Sequence, residues 1–207
     1  NIDGTILNGL TLLLADDQEY NLIVAGDTLR SKADVSITTA MNGREVIELV
    51  LNNQYDAILM DVQMPVMDGL EATRYLRENL PPQRREIPII ALTASVLKSE
   101  LDRCREAGMN SFIPKPFTPS QLIGGIAEAL RIPLRYKSKD TGPLISEMAS
   151  MERVATNLDY LEKFCEGNRD QMRKYIMMFL DSAPRLITQI QDALAKGDAA
   201  EIATQVH

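Results

Sequence analysis

Apolar residues in the first two thirds of the chain recur in two alternating rhythms. Leu10–Ala15 is a short, nearly continuous apolar run, the pattern of a strand buried on both faces. Leu22, Ala25, Gly26 and Leu29 then return at the three- and four-residue spacing of a helix face. The pair of rhythms repeats. Val35–Ala40 predicts a second strand, Asn42 and Gly43 a turn, and Val46, Ile47, Val50 and Leu51 one face of a second helix. Tyr55–Met60 predicts a third strand and Leu70–Glu78 a third helix. After Leu80–Glu86, which reads as a solvated loop, Ile87–Leu92 predicts a fourth strand and Ser95–Ala107 a fourth helix closed by Gly108. Ser111–Pro114 predicts a short fifth strand, and Leu122, Ile126, Ala129 and Leu130 mark a fifth helix. Strands alternating with helices predict an α/β fold: a five-stranded parallel sheet, doubly wound, with helices on both faces and right-handed crossovers.

The rhythm breaks after Leu130. Residues 131–150 mix basic, Gly, Pro and Ser residues without a period and read as a linker. Beyond it the pattern is all-helical. Asp159–Phe164 predicts a short helix stopped by Gly167 and Asn168. A long stripe follows, of Met172, Ile176, Phe179, Ala183, Leu186, Ile190 and Leu194. Pro184 predicts a kink or a restart after Ser182, and Gly197 an end. Asp198 and Glu201 then resemble the start of another helix, with Ile202 and Val206 on its inner face. Residues 151–207 supply about half of a four-helix bundle. Such a partial bundle leaves an apolar stripe, so the tail is expected to be mobile, docked on the first domain, or paired with a second chain.

Composition narrows the function classes. With 45% hydrophobic and 25% charged residues in 207, the chain has the make-up of a globular protein with a substantial core. A net charge of −7 argues against nucleic acid as a direct partner, because phosphate binding needs a basic face. Cys104 and Cys165 lie far apart without metal-ligand spacing and read as reduced structural thiols, which suits a cytoplasmic location. No apolar run approaches the 18 or so residues that span a bilayer, so no membrane contact is expected of this stretch. The chain begins at Asn1 without a methionine, which suggests a piece of something longer, and any membrane anchor is expected in that parent.

The candidate chemistry lies where the strands end. The first strand runs into Asp16 and Asp17, and the third into Asp61, followed by a loop broken by Pro65 and Gly69. Open α/β sheets keep their ligands at the carboxyl edge, so two neighbouring strands would bring three carboxylates together there. At about 5 Å and an effective dielectric near 20, each like-charge pair costs about 3 kcal/mol. A divalent cation removes that cost, and the cluster therefore implies one. Asp68 before Gly69 reads as a helix cap instead. At the amino terminus, NIDGT resembles the first motif of haloacid-dehalogenase phosphatases, but Asn1 stands where their nucleophilic Asp would be, so a turn on Asp3 and Gly4 is the better reading.

Asp16 and Asp17, the loop DVQMPVMDG beginning at Asp61, Thr93 before Ala94, and Lys115 before Pro116 and Phe117 together resemble the receiver domain of response regulators and hybrid sensor kinases. The likeness covers residues 8–130 and keeps these positions in the family's order. It implies a flavodoxin-like strand order 2-1-3-4-5. It also implies that Asp61 is the phosphoacceptor, and that Asp16, Asp17, Asp61 and the backbone carbonyl of Gln63 hold Mg²⁺ (or Mn²⁺), with the more direct contact from Asp17. Lys115, rigid between Pro114 and Pro116, and Thr93 would meet the equatorial oxygens of the phosphoryl group, where phosphoryl transfer needs fixed donors and cations. The family often has a cis bond after this lysine. Thr93 and Phe112 would form the switch, although Phe112 replaces the tyrosine of many relatives and brings no phenol hydroxyl.

The tail from Asn157 looks like the first half of a histidine phosphotransfer (HPt) domain, with His207, the only histidine, where the phosphoacceptor stands. A tag residue or a plain surface histidine are the competing readings of His207. The likeness implies a two-component phosphorelay. In it, Asp61 takes a phosphoryl group from a histidine kinase or an HPt phosphohistidine and relays it toward a histidine such as His207. The sequence contains no ATP-binding motif or Gly-rich phosphate loop, so ATP use would belong to a parent hybrid sensor histidine kinase. The alternative is a degenerate receiver that binds a partner without phosphorylation, and the intact set of five site residues argues against it.

Overall fold

The computed structural model describes residues 2–135 and 161–196, apart from 163 and 166. Five parallel strands, β1 (Thr11–Ala15), β2 (Ser36–Ala40), β3 (Ala57–Asp61), β4 (Ile89–Thr93) and β5 (Ser111–Pro114), lie in the order β2-β1-β3-β4-β5. The predicted order and all-parallel pairing are therefore present. The connections carry α1 (Glu19–Lys32), α2 (Gly43–Asn52), α3 (Gly69–Asn79), a four-residue α4 (Pro82–Arg85), α5 (Lys98–Ala107) and α6 (Pro119–Ala129).

Side-chain alternation along each strand divides the core in two. Leu13, Ala15, Ile58, Met60, Ile89 and Ala91 face α2, α3 and α5 through Val46, Val50, Leu70, Leu76 and Cys104. Leu12, Leu14, Leu59, Ile90 and Leu92 face α1 and α6 through Leu22, Leu29, Leu122 and Ile126. Because both faces are covered, β3 and β4 are buried at every position, which is why they read as continuous apolar runs. The amino-terminal segment closes the second core from below. Asp3 accepts from the Thr5 amide and caps a 3-10 turn over Gly4–Leu7, as the turn reading expected, and buried Ile2 and Leu7 join that core.

Three expectations for the sheet domain are corrected. Leu80–Glu86 is not simply a solvated loop: it contains α4, whose arginines cap neighbouring helices. Arg84 donates to the carbonyls of Val50, Leu51 and Asn53 at the end of α2, and Arg85 Nε donates to Leu80 O after α3 at 3.3 Å. Orphan carbonyls at a helix carboxyl end are what a guanidinium satisfies best. Helix α5 starts at Lys98 and not at Ser95, because Ser95 is engaged by Thr93 in a tight local turn. Leu51 is exposed at the end of α2, unlike Val46, Ile47 and Val50. Gly108 closes α5 in the left-handed region, as expected.

The chain divides into two compact units, Asn1–Thr141 and Gly142–His207. In the second, Leu161, Glu162 and Phe164 are helical and Gly167, at φ +77°, turns the chain before a 28-residue helix α7 (Arg169–Lys196). Phe164 and Tyr175 are buried and meet edge to face, with ring centroids 6.1 Å apart. Helix α7 runs through Pro184 without a restart. Phe179, predicted on the inner stripe, is exposed, as are Met177, Leu180 and Ile187. The predicted helix after Asp198, with Ile202 and Val206, and His207 lie outside the described residues, as does most of the predicted linker. Among the described residues no helix is long and apolar enough to cross a membrane, and both cysteines are free and buried.

Candidate functional site

The sheet order reverses between β1 and β3, since β1 leads outward to β2 on one side and β3 to β4 on the other. Asp16 and Asp17 follow β1 directly, and Asp61 is the last residue of β3. The crevice at such a reversal is where an open α/β sheet holds a ligand. Each of the three acids offers an oxygen within 4.8 Å of the others, an arrangement that suits a small hard cation. Asp16 is 1% exposed and Asp61 9%, while Asp17 is half-buried.

Lys115 crosses the cluster from the end of β5. Its Nζ donates to Asp16 Oδ2 at 2.5 Å and to Asp61 Oδ2 at 2.7 Å. Its own amide is fixed by donating to Thr93 O at 2.7 Å, and the Lys115–Pro116 bond is cis. The remaining oxygens are also held. Gln63 N donates to Asp61 Oδ1 at 3.3 Å, whereas Asp16 Oδ1 accepts from Gln18 N at 3.0 Å and from Asn21 Nδ2 at 2.9 Å.

Thr93 is buried at the end of β4 and faces its own loop. Its Oγ1 donates to Ser95 O at 2.9 Å and accepts from Ser95 N at 3.1 Å. The structure thus joins Asp16, Asp61 and Lys115 by direct contact and places Asp17 beside them, while Thr93 is committed elsewhere. Phe112 is partly buried and packs on the α2, α3 and α5 side of the core. Asn21, on the first turn of α1, escaped the sequence reading. Its only signal was an amide five residues after Asp16, at the start of the helix that follows the acids.

The loop after Asp61 is shaped by close approaches. Asp68 and Glu71 form a capping box at the start of α3, as the cap reading of Asp68 expected. Gly69 N donates to Val62 O at 3.0 Å, which folds the loop back on β3. Val66 sits at φ +70° with Met67 N donating to Pro65 O at 2.8 Å, a tight three-residue turn in a region that a β-branched residue rarely adopts.

Burial pushes the Asp61 carboxyl up to about 6, with Lys115 pulling down and Asp16 adding to the rise. Burial and then Asp16 also raise Asp17. Burial alone would lower the Lys115 ammonium, but the Asp61 and Asp16 carboxylates outweigh it and raise it. The two partners thus differ in sign of benefit. The ammonium is favoured by facing two acids, while the surplus negative charge falls on Asp61. From the ordinary 3.8, the native carboxyl binds more protons than the unfolded one up to about pH 6. Stability of the cation-free protein therefore falls as pH rises through that window, by about 3 kcal/mol at 1.36 kcal/mol per unit. The Lys115 contribution is present throughout and is lost only above 10.5. Asp61→Asn lacks the carboxyl slope and is expected to be more stable than the parent in EDTA at pH 7. Urea unfolding at pH 4.5 and 7 checks this, and a parent that gains stability across that range contradicts it.

A doubly wound parallel sheet with three acids and a lysine gathered at its reversal defines an α/β module with a small, charged ligand site at its carboxyl edge. The model of the response regulator receiver domain matches residues 12–127, and the chain belongs to that family. It is 36% identical over 145 residues to probable histidine kinase 5 of Oryza sativa subsp. japonica, covering 61% of this chain and 12% of that protein. Signal transduction histidine-protein kinase BarA of Shigella flexneri is 25% identical over 204 residues, 96% of this chain and 21% of that protein. The chain thus spans a small part of the histidine kinases it matches. Among solved structures, the receiver domain of a sensor histidine kinase from Pseudomonas aeruginosa PAO1 is 36% identical with a TM-score of 0.54, over 59% of this chain and 98% of that one. That protein holds a magnesium ion coordinated in its active-site cleft.

Proposed function

We propose that residues 8–130 accept a phosphoryl group on Asp61 from the phosphohistidine of a histidine kinase or HPt domain, in the cytoplasm, within a larger hybrid sensor histidine kinase. The observation that carries this reading is the Lys115 bridge between buried Asp16 and Asp61 beside Asp17. The donor set fits Mg²⁺ (or Mn²⁺). Asp16, Asp17, Asp61 and the Gln63 carbonyl would hold it, through hard oxygens of the kind this ion takes alongside water. When bound, the ion supplies positive charge against the acids and the phosphoryl oxygens.

The residues divide the work. An Asp61 carboxylate oxygen attacks phosphorus; the new P–O bond forms as the donor's P–N bond breaks, and the imidazole nitrogen keeps the electron pair. Lys115 holds three donors near Asp61, so it can turn from a carboxylate to a phosphoryl oxygen without leaving the crevice. Thr93 would have to give up both hydrogen bonds to Ser95 to reach another oxygen. That exchange loosens the Ser95–Leu97 turn and opens space for Phe112, which is the switch. Residues 131–150 would then link this domain to an incomplete HPt-like segment, 151–207, with His207 as a second phosphoacceptor.

The test offers the protein a small phosphodonor with and without Mg²⁺ and locates the acid-labile label by mass spectrometry. Label is expected on Asp61, absent from Asp61→Asn and without the metal. Metal-independent label on another residue would overturn the reading.

A further inference from the structure

The two oxygens of Asp16 are not equivalent. Oδ2 faces Lys115 Nζ, inside the cluster, while Oδ1 is turned away into α1, accepting from the Gln18 amide and the Asn21 side chain. Gln18 N is a backbone donor that any residue supplies at that position. The side chain that donates to Oδ1 is the Asn21 amide, and it arrives from a helix anchored in the core by Leu22, Ala25 and Leu29. With Asp16 1% exposed, water gives little replacement for a lost donor.

We infer that Asn21 is a positioning residue for the cation site: it holds Asp16 in the rotamer that commits Oδ1 to the protein and leaves Oδ2 alone to the cation and Lys115. The inference rests on the Mg²⁺ reading above and adds a residue to it. Two donors on Oδ1 fix the plane of the carboxylate, so Oδ2 points at the crevice before any ion arrives. Without Asn21 only the Gln18 amide restrains Oδ1, the carboxylate turns more easily about χ2, and Lys115 draws it over. Binding must then reorder Asp16 and compete with a closer lysine. Partners that orient a metal-binding carboxylate typically change affinity by about 10- to 100-fold when removed.

The experiment measures the Mg²⁺ dissociation constant by calorimetric titration of the full chain, with no phosphodonor present. Asn21→Leu keeps the branched shape and the number of heavy atoms and removes the donor; Asn21→Ser, with a shorter hydroxyl donor, serves if the bulkier leucine variant does not fold. Thermal unfolding in EDTA confirms that the variant is folded. The expected result is about tenfold or greater weakening, and that effect should disappear in an Asp16→Asn background, since Asn21 acts through Asp16. Unchanged affinity in a folded variant, or the same weakening with and without Asp16, overturns the inference. A parent chain that binds no Mg²⁺ instead overturns the function proposed above, so the two failures are distinct.

Discussion

Lys115→Ala is expected to cost the cation-free protein about 3–5 kcal/mol at pH 7.5, the usual loss when one partner of a buried charged pair is removed. Asp16 and Asp61 are both buried, and Lys115 donates to each of them. Without the ammonium they are like charges in a poorly solvated crevice, with Asp17 alongside. Protonation gives a way out. Asp61, already pushed up to about 6, takes up a proton as pH falls and relieves the repulsion. The loss is therefore largest above pH 6 and shrinks at pH 5. If the cluster binds Mg²⁺ as proposed, the ion restores part of the loss, so the variant gains more from Mg²⁺ than the parent does. Urea unfolding at pH 5 and 7.5, in EDTA and in Mg²⁺, gives all four numbers. An equal loss at both pH values would mean that Lys115 contributes only packing.

Gly69→Ala is expected to destabilise by about 3 kcal/mol or more, at the upper end for overpacking. A Cβ at this position would lie 2.1 Å from Asp61 O and 2.9 Å from Met60 Cγ. The obstacle is backbone, and Asp61 is held in β3 by pairing with Leu92, so relief requires moving either the acid or the start of α3. Both lie at the proposed phosphoacceptor, and Mg²⁺ affinity should fall along with stability. Gly26→Ala is the control. Its nearest neighbour is the mobile end of Arg30 at 3.1 Å, within helix α1, so the substitution should be neutral or stabilise by up to about 1 kcal/mol. If Gly69→Ala behaves like Gly26→Ala, the close approach of α3 to Asp61 does not constrain the site.

Much of this was legible along the chain. The strands β1, β3 and β4 are buried on both faces, so they leave uninterrupted apolar runs that end in a polar residue at the carboxyl edge. Asp16, Asp61 and Thr93 mark those ends, and Gly108 and Asp68 carry local cap chemistry that needs no tertiary partner. The misses have a common cause. Arg84 and Arg85 look like solvated charges because their acceptors, carbonyls at the ends of α2 and α3, are backbone groups that carry no residue signature. Phe179 fits an apolar stripe by spacing, yet α7 presents apolar side chains on more than one side, so spacing alone does not choose which is buried. Pro184 removes a single donor, which a 28-residue helix absorbs.

The sequence by itself determined the alternation of strands and helices, the two-sided burial of the sheet and the residue types available at its carboxyl edge, because periodicity and local capping are properties of neighbours in the chain. Only the tertiary structure decided that Lys115, 99 residues beyond Asp16, reaches across to bridge two acids, and that Thr93 turns to Ser95 and not to them. Those choices depend on distances through space and on which oxygen of a carboxylate is already occupied, and neither quantity is written in the order of residues.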